Sequence, residues 1–352
     1  MQVGVALAIK TLADQTEPLE QVYQTFIQEA ILAEELGFDF VSTSEHHFED
    51  DAWSPSQLPI LANIAAQTSR VRLHTNIFLL PLHHPLRVSE DAATVDILSH
   101  GRLDLTCGTG SVAEEFVPFG VDQKTRWGRF FEAMEIIRRS YEEDSFSFEG
   151  KHFQIPDRIR QTTKPVQDPF PLWVGGYGAK LQYRAGREGY HSQNGANFHP
   201  EYLRGLQEAG INPASRNHGS FSIGHLANSV EQAWAECRKA WWNRQHESRK
   251  RTWIFHPNAP VLPPLEEFEK MAEPPSDQQL MPPVVGAPED ILNQLRPIYE
   301  RCDTTHYCFF FRACGGGMPA DKTRSAMQLF AREVLPTLRT WGREPTTSRA
   351  VD

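Results

Sequence analysis

Phe38-Asp39-Phe40-Val41-Ser42-Thr43-Ser44-Glu45-His46-His47-Phe48 decides how this chain reads, and it opens into the acidic loop Glu49-Asp50-Asp51. Its first half is an apolar run placed after Gly37, a residue type that ends helices, so it reads as a buried parallel strand. A carboxylate and two imidazoles then stand at the C-terminal end of that strand. In a barrel of alternating strands and helices, that end is where chemistry is placed. Alternation along a strand sends Phe40, Ser42, Ser44 and His46 to one face and Val41, Thr43, Glu45 and His47 to the other. If the first set faces the barrel axis, His46 reaches a bound ligand while His47 supports the wall. A surface loop with two solvated histidines fits the same residues.

Outward from this strand, strand-like and helix-like segments alternate in a countable series. Val3–Ile9, Phe40–Ser44, Val71–Leu80, Arg102–Cys107, Leu172–Gly175, Tyr190–Asn194, Ser220–Leu226 and His306–Phe311 read as strands. Helical spacing of apolar residues covers about Leu19–Leu36, Ser56–Thr68, Val88–Leu98, Arg126–Tyr141, Ala179–Glu188 and Val230–His246, with another helix after Pro288. Eight such units predict an α/β chain of the (β/α)8 TIM-barrel class, one domain over residues 1–341 with a flexible tail over 342–352. A doubly wound sheet is the rival. Phe146–Ile155 alternates around Gly150 and predicts a decorating β-hairpin. Before the last βα unit, residues 247–285 break the rhythm with Pro263-Pro264, Pro274-Pro275 and Pro282-Pro283. Trp241, Trp242, Trp253 and Phe255 at the start of this insertion favour a lid packed over the barrel mouth, and a proline-rich surface excursion is the other reading.

Composition narrows the function classes. The 352 residues are 40% hydrophobic and 23% charged, enough for a full core, and the formal net charge of −10 argues against a nucleic-acid partner. Met1 leads into Val3–Ile9 without a basic segment, which reads as a first core strand rather than a signal peptide. No apolar run approaches membrane-spanning length. The five cysteines are scattered and hold no Cys-x-x-Cys pair, which fits a reducing cytoplasm.

Two glycine loops carry the next layer. Cys107-Gly108-Thr109-Gly110-Ser111-Val112-Ala113 matches a dinucleotide pattern, yet follows the fourth strand, and no strand ending in an acid comes about 20 residues later. Its glycines suit a flat ring system approaching the backbone. Gly175-Gly176-Tyr177-Gly178, between the fifth strand and a helix, reads as a phosphate grip made of helix-start N–H groups, with Lys180 adding charge; a plain chain-reversing turn is the alternative. No metal site is expected, because the adjacent pairs His46-His47 and His83-His84 point to opposite faces when extended. No Gly-x-Ser-x-Gly elbow is present. Cys107 could be a nucleophile, though small buried cysteines usually only pack.

Taken together these residues resemble the bacterial luciferase-like flavin monooxygenases. The resemblance rests on Glu45-His46-His47-Phe48, His84-Pro85-Leu86-Arg87 with Glu90-Asp91, Asp96-x-Leu98-Ser99-x-Gly101-Arg102, Gly108-x-Gly110, Phe116-x-x-Phe119-Gly120, and the arginine and glutamate of Arg126 to Glu132. Gly175 to Gly178 and Gly286-x-Pro288-Glu289 extend it. It implies a (β/α)8 barrel using reduced FMN (FMNH2) as cosubstrate, supplied by a separate flavin reductase. Oxygen is then captured as a flavin peroxide, and one oxygen atom passes to a small organic substrate. It also implies a homodimer or related heterodimer.

Carried over by position, His46 is the active-site histidine, and Asn76-Ile77 is a non-prolyl cis bend beneath the flavin ring. Gly108, Thr109 and Val112 lie around the ring, and Gly175, Gly176, Tyr177 and Gly178 form the phosphate loop. The chain departs from the luciferase pattern in having Gly108 where a reactive cysteine lies and Val112 where a tyrosine is common. A deazaflavin-dependent oxidoreductase of the same superfamily and a non-catalytic flavin-binding protein are the alternatives. Relatives using deazaflavin tend to carry Asp-His-Phe rather than Glu-His-His-Phe.

Overall fold

Eight short strands succeed one another around a closed ring: β1 Gln2–Ala6, β2 Phe40–Thr43, β3 Arg72–Thr75, β4 Leu103–Gly108, β5 Leu172–Gly175, β6 His191–Gln193, β7 His218–Leu226 and β8 His306–Phe310. Each is paired in parallel with its neighbour in sequence, and β8 returns to β1. Sequential order with closure is the TIM barrel expected from the sequence; a doubly wound sheet would reverse its strand order and leave two edges. The computed structural model describes residues 1–11, 17–193, 198–250, 262–274, 283–311, 318–346 and 349–350.

Helices pack outside. They are α1 Leu19–Glu35, α2 Gln57–Gln67, α3 Pro85–Leu98, α4 Arg126–Glu142, α5 Ala179–Arg187, α6 His199–Glu208, α7 Val230–Lys250, α8 Leu265–Phe268, α9 Pro288–Tyr299, α10 Ala320–Glu333 and α11 Leu335–Arg339. Alternation divides each strand between two environments. Val41 and Phe309 join the apolar shell under the helices, where α1 contributes Phe26, Ala30 and Ala33. Phe40, Ala6 and Cys308 fill the barrel axis with Phe221 and Phe310. Gly4 carries no side chain because the Phe40 ring occupies the space a Cβ would need.

The motif around Asp96 and Arg102 is scaffolding. Asp96 accepts from the backbone N–H groups of Leu103, Val166 and Gln167 and from Gln167 Nε2. Buried Arg102 donates from Nε, Nη1 and Nη2 to the Ser99, Val71, Ala65 and Thr68 carbonyls and to Thr68 Oγ1, at 2.7–3.0 Å. Together these satisfy a helix end and a strand start that would otherwise be buried without partners.

At the N-terminal ends of the strands the interior is polar. Phe40 stacks on His74 with ring centroids 4.4 Å apart, and Trp173 lies 4.9 Å from both His191 and His306. Asp104 sits among them, 2.6 Å from Arg72, 2.9 Å from His74 Nε2 and 3.1 Å from Trp173 Nε1. Burial works against its charge, but Arg72 and His74 outweigh it and hold the carboxyl well below the usual range. Burial pushes the His306 imidazole well down and, helped by Arg216, takes His191 down to about 4. A cavity of about 550 Å³ opens beneath this layer, lined by Gln2, Arg72, Asp104, His191, Asn217 and His306 among others.

Several elements differ from the sequence expectation. The third strand, read as continuous over Val71–Leu80, is broken: it stops at Thr75, the Asn76–Ile77 peptide is cis, and Phe78–Leu79 resumes beside Cys107 and Gly108. α6 was not anticipated. It lies against α5 through Gly186 and Gly205, where a Cβ on either would run into the other helix's backbone. Val284–Gly286 adds a short strand paired with the end of β7. Phe146–Glu149 and Gln154–Ile159 pair antiparallel, and Glu132 accepts the N–H groups of Lys151, His152 and Phe153 in the turn. Of the segment read as a lid, residues 251–261 and 275–282, with Trp253 and Phe255, lie outside the described residues, as does Asn194. The described part packs: Phe268 of α8 stacks on Trp241 at 5.4 Å. In the segment expected to be a flexible tail, Arg343 pairs with Asp303 at 2.6 Å and the Thr346 N–H donates to Asn217 Oδ1.

Candidate active site

The residues that follow β2 keep the strand's alternation in their burial at the barrel mouth. Ser44 and His46 are half-buried, whereas Glu45 and His47 are buried in the wall. His46 Nδ1 lies 2.8 Å from Glu115 Oε1, and the same oxygen accepts the His47 N–H at 3.0 Å. Glu115 comes from the short turn Ala113–Glu115 after β4 and has no accessible surface. Its second oxygen, Oε2, is buried without a hydrogen-bond partner among the described residues, which is uncommon for a carboxylate. The edge of Trp53 meets the His46 ring with centroids 4.4 Å apart, and Trp53 Nε1 donates to Ser44 Oγ at 2.8 Å. Behind Trp53, Lys10 Nζ lies 4.4 Å from the indole and 3.1 Å from Asp51. Burial pushes the Lys10 amine down, opposed by Asp51.

Wall residue Glu45 is the hub of a second network. Oε1 lies 3.0 Å from His47 Nε2 and 3.2 Å from His83 Nε2, while Oε2 accepts from Gln57 Nε2 and the Leu79 N–H. Burial alone would raise its pKa, but these donors and the charge of His83 prevail and bring it down to about 2. Gln57, first residue of α2, also donates to the Ile77 carbonyl at 2.9 Å and accepts from Thr43 Oγ1 and the Asn76 N–H. One side chain therefore ties β2, α2 and the cis Asn76–Ile77 peptide to Glu45.

Ile77 emerges from that peptide between Gly108, at the end of β4, and Gly175, at the end of β5. A Cβ on either glycine would collide with the Ile77 side chain. Thr109 is buried and Val112 has no accessible surface. Gly176 and Gly178 hold φ of 123° and 130°, conformations glycine adopts readily. Gly178 is the N-cap of α5, and among the described residues no side chain caps that helix and none fills the space where its Cβ would project. Gln182, fully buried, fixes the loop by donating to the Gly176 carbonyl at 2.8 Å while accepting from Ser192 Oγ. Tyr177 faces Phe198 and Phe221 at 6.3 Å, and burial pushes its hydroxyl up to about 12.

The structure thus gathers Asn76, Gly108 and Gly175 around Ile77, sets Gly176 to Gly178 at a helix start, and stands His46 on another part of the mouth. Sequence reasoning missed Glu115, Gln57, Trp53 and His83. Glu115 stands one residue before the Phe116-x-x-Phe119-Gly120 motif, and the acidic pair Glu114-Glu115 carries no local mark of burial.

A profile of the family described as Luciferase-like monooxygenase matches residues 1–305. The chain is similar to the oxygenase component of a flavin-dependent trigonelline monooxygenase from Acinetobacter baylyi, at 23% identity over 96% of this chain and 95% of that protein. It is similar to an F420-dependent glucose-6-phosphate dehydrogenase from Amycolatopsis mediterranei, at 26% identity over 90% and 95%. An uncharacterized protein of Sinorhizobium fredii, y4vJ, is 34% identical over 48% of each chain, so the chain spans about half the length of that relative. Among solved structures, monooxygenase RslO1 from Streptomyces bottropensis aligns with a TM-score of 0.79 at 23% identity, covering 96% of this chain and 100% of that one. At that identity the likeness shows the fold.

Proposed function

Since the chain belongs to the luciferase-like monooxygenase family, we propose that it is a flavin-dependent monooxygenase of the two-component kind, taking reduced FMN from a separate reductase. Its substrates are O2 and a small organic molecule. The observation that carries this reading is the pairing of His46 with buried Glu115 at the mouth, with Trp53 against the same ring.

The residues present fit the cofactor. A flat ring needs an even backing, and the Ile77 side chain, seated in the space that Gly108 and Gly175 leave, offers one. A phosphate needs N–H donors and open space, and the uncapped start of α5 beside Gly178 offers both. When bound, reduced FMN supplies the two electrons that activate O2. The protein's own part is to orient and to handle protons. Glu115 fixes the orientation of the His46 ring through Nδ1 and can support a proton held on it. Trp53, packed edge-on against His46, shields one side of that ring from water.

A second reading, hydride transfer with a deazaflavin, is favoured by the similarity to the F420-dependent dehydrogenase. The two separate in one experiment. Reduced FMN and reduced F420 are titrated against the protein, and products formed under isotopically labelled dioxygen are examined by mass spectrometry. Preference for FMN with label in the product supports oxygenation. Preference for F420 with no label incorporated overturns it.

A further inference from the structure

Glu45, His47 and His83 form a cluster that neither proton transfer nor flavin binding uses. Two come from the segment that follows β2 and the third from the turn after Leu80–Leu82. Each offers one ligand-capable atom, and these atoms all lie within 4.8 Å of one another. Glu45 Oε1 lies 3.0 Å from His47 Nε2 and 3.2 Å from His83 Nε2. An ion with bonds of about 2.0–2.1 Å to nitrogen and oxygen places neighbouring ligands about 2.9 Å apart in an octahedron and about 3.3 Å apart in a tetrahedron. The two edges to Glu45 fall in that interval.

The surroundings match a built site. Gln57 Nε2 and the Leu79 N–H hold the far oxygen of Glu45 at 3.1 and 3.3 Å, which turns Oε1 toward the imidazoles. Bracing of this kind orients metal ligands elsewhere. Phe119 packs edge-on against His47 at 4.8 Å, and Phe78 lies 4.6 Å from His83, giving an apolar collar. Glu45 and His47 are buried, while the His83 side chain is 29% exposed, so access lies on its side. A carboxylate accepting from two neutral imidazoles explains the same distances without an ion, and that is the competing account.

We propose that Glu45, His47 and His83 form a binding site for a divalent first-row transition ion of the Zn²⁺ class. Two imidazoles and one carboxylate suit Zn²⁺, Ni²⁺, Co²⁺ or Fe²⁺ better than Mg²⁺ or Ca²⁺, which prefer all-oxygen sets. On binding, each ring gives Nε2 to the ion and keeps one proton on Nδ1, any second proton passing to solvent, with nothing oxidised or reduced. The site departs from the sequence expectation of no metal. One histidine is taken from each doublet, so the opposed faces of adjacent residues are no obstacle.

The test is a titration of metal-free protein with Zn²⁺ against a chromophoric chelator, which is independent of flavin and of turnover. Wild type should take up one tightly held equivalent, and His83→Ala, checked for native circular dichroism, should weaken that uptake at least tenfold. Mg²⁺ should not compete. Co²⁺ in place of Zn²⁺ should give visible ligand-field bands in wild type, a readout that stands even if the variant fails to fold. No uptake by wild type, uptake unchanged in His83→Ala, or a Co²⁺ spectrum of an all-oxygen octahedral ion would each overturn the proposal.

Discussion

Acid should unfold this protein through its histidines before its carboxylates. His191, held down to about 4 in the fold by burial, has an ordinary value of 6.5. Between those values the unfolded chain binds a proton there and the folded chain does not, so stability falls as pH falls. The contribution is intact above about pH 6.5 and is lost progressively down to about pH 4. The interval corresponds to about 3 kcal/mol, an upper bound because the ring borders the lower cavity and water there screens it. Buried His306, pushed well down, acts in the same sense. Asp104 does not contribute in this window: its carboxyl lies below its ordinary 3.8 in the fold, so its stabilisation is lost only as pH falls below that value. Urea denaturation at several pH values between about 7 and about 4.5 measures the slope. His191→Gln, which retains an acceptor for the Asn217 N–H that now bonds Nδ1 at 2.9 Å, should remove up to one proton from it, about 1.4 kcal/mol per pH unit. An unchanged slope in His191→Gln would refute the reasoning.

Other perturbations bear on the mouth. Glu115→Gln and His46→Ala should each keep most flavin affinity and lower turnover, His46→Ala by roughly 10²- to 10⁴-fold, measured as coupled product formation; full activity in both would remove the pair from the chemistry. Gly175→Ala should lose FMN affinity in a fluorescence titration because its methyl meets Ile77, and Ile77→Ala should restore it in the double variant. Riboflavin should bind more weakly than FMN, since only the latter engages the start of α5; equal affinities would count against the phosphate loop. Arg102→Met should destabilise the fold by about 3–5 kcal/mol in denaturant, because several buried carbonyls lose their donor at once.

What could be read from the sequence was whatever neighbouring residues encode. Phe40 inward and Val41 outward follow from strand alternation, and Gly178 as the start of α5 follows from a glycine between a strand and a helical pattern. The bend at Asn76–Ile77 was available only by resemblance, since Val71–Leu80 is locally a uniform apolar strand. The partnership of His46 with Glu115 spans 69 residues, and that of Glu45 with His83 spans 38. Nothing in the local pattern separates Glu115 from its neighbour Glu114, because its burial is created by how successive loops meet at the mouth. α6 depends in the same way on Gly205 meeting Gly186, a contact no window around either residue contains.

Ile77 and the glycines at 108 and 175 form a single steric unit, since one branched side chain occupies the volume both glycines leave empty. Its three members therefore cannot drift independently through evolution. A side chain acquired at position 108 meets the Cδ1 end of Ile77 first, so it requires that side chain to turn aside or position 77 to shrink. Across an alignment of this family, bulk at 77 and bulk at 108 should be anticorrelated.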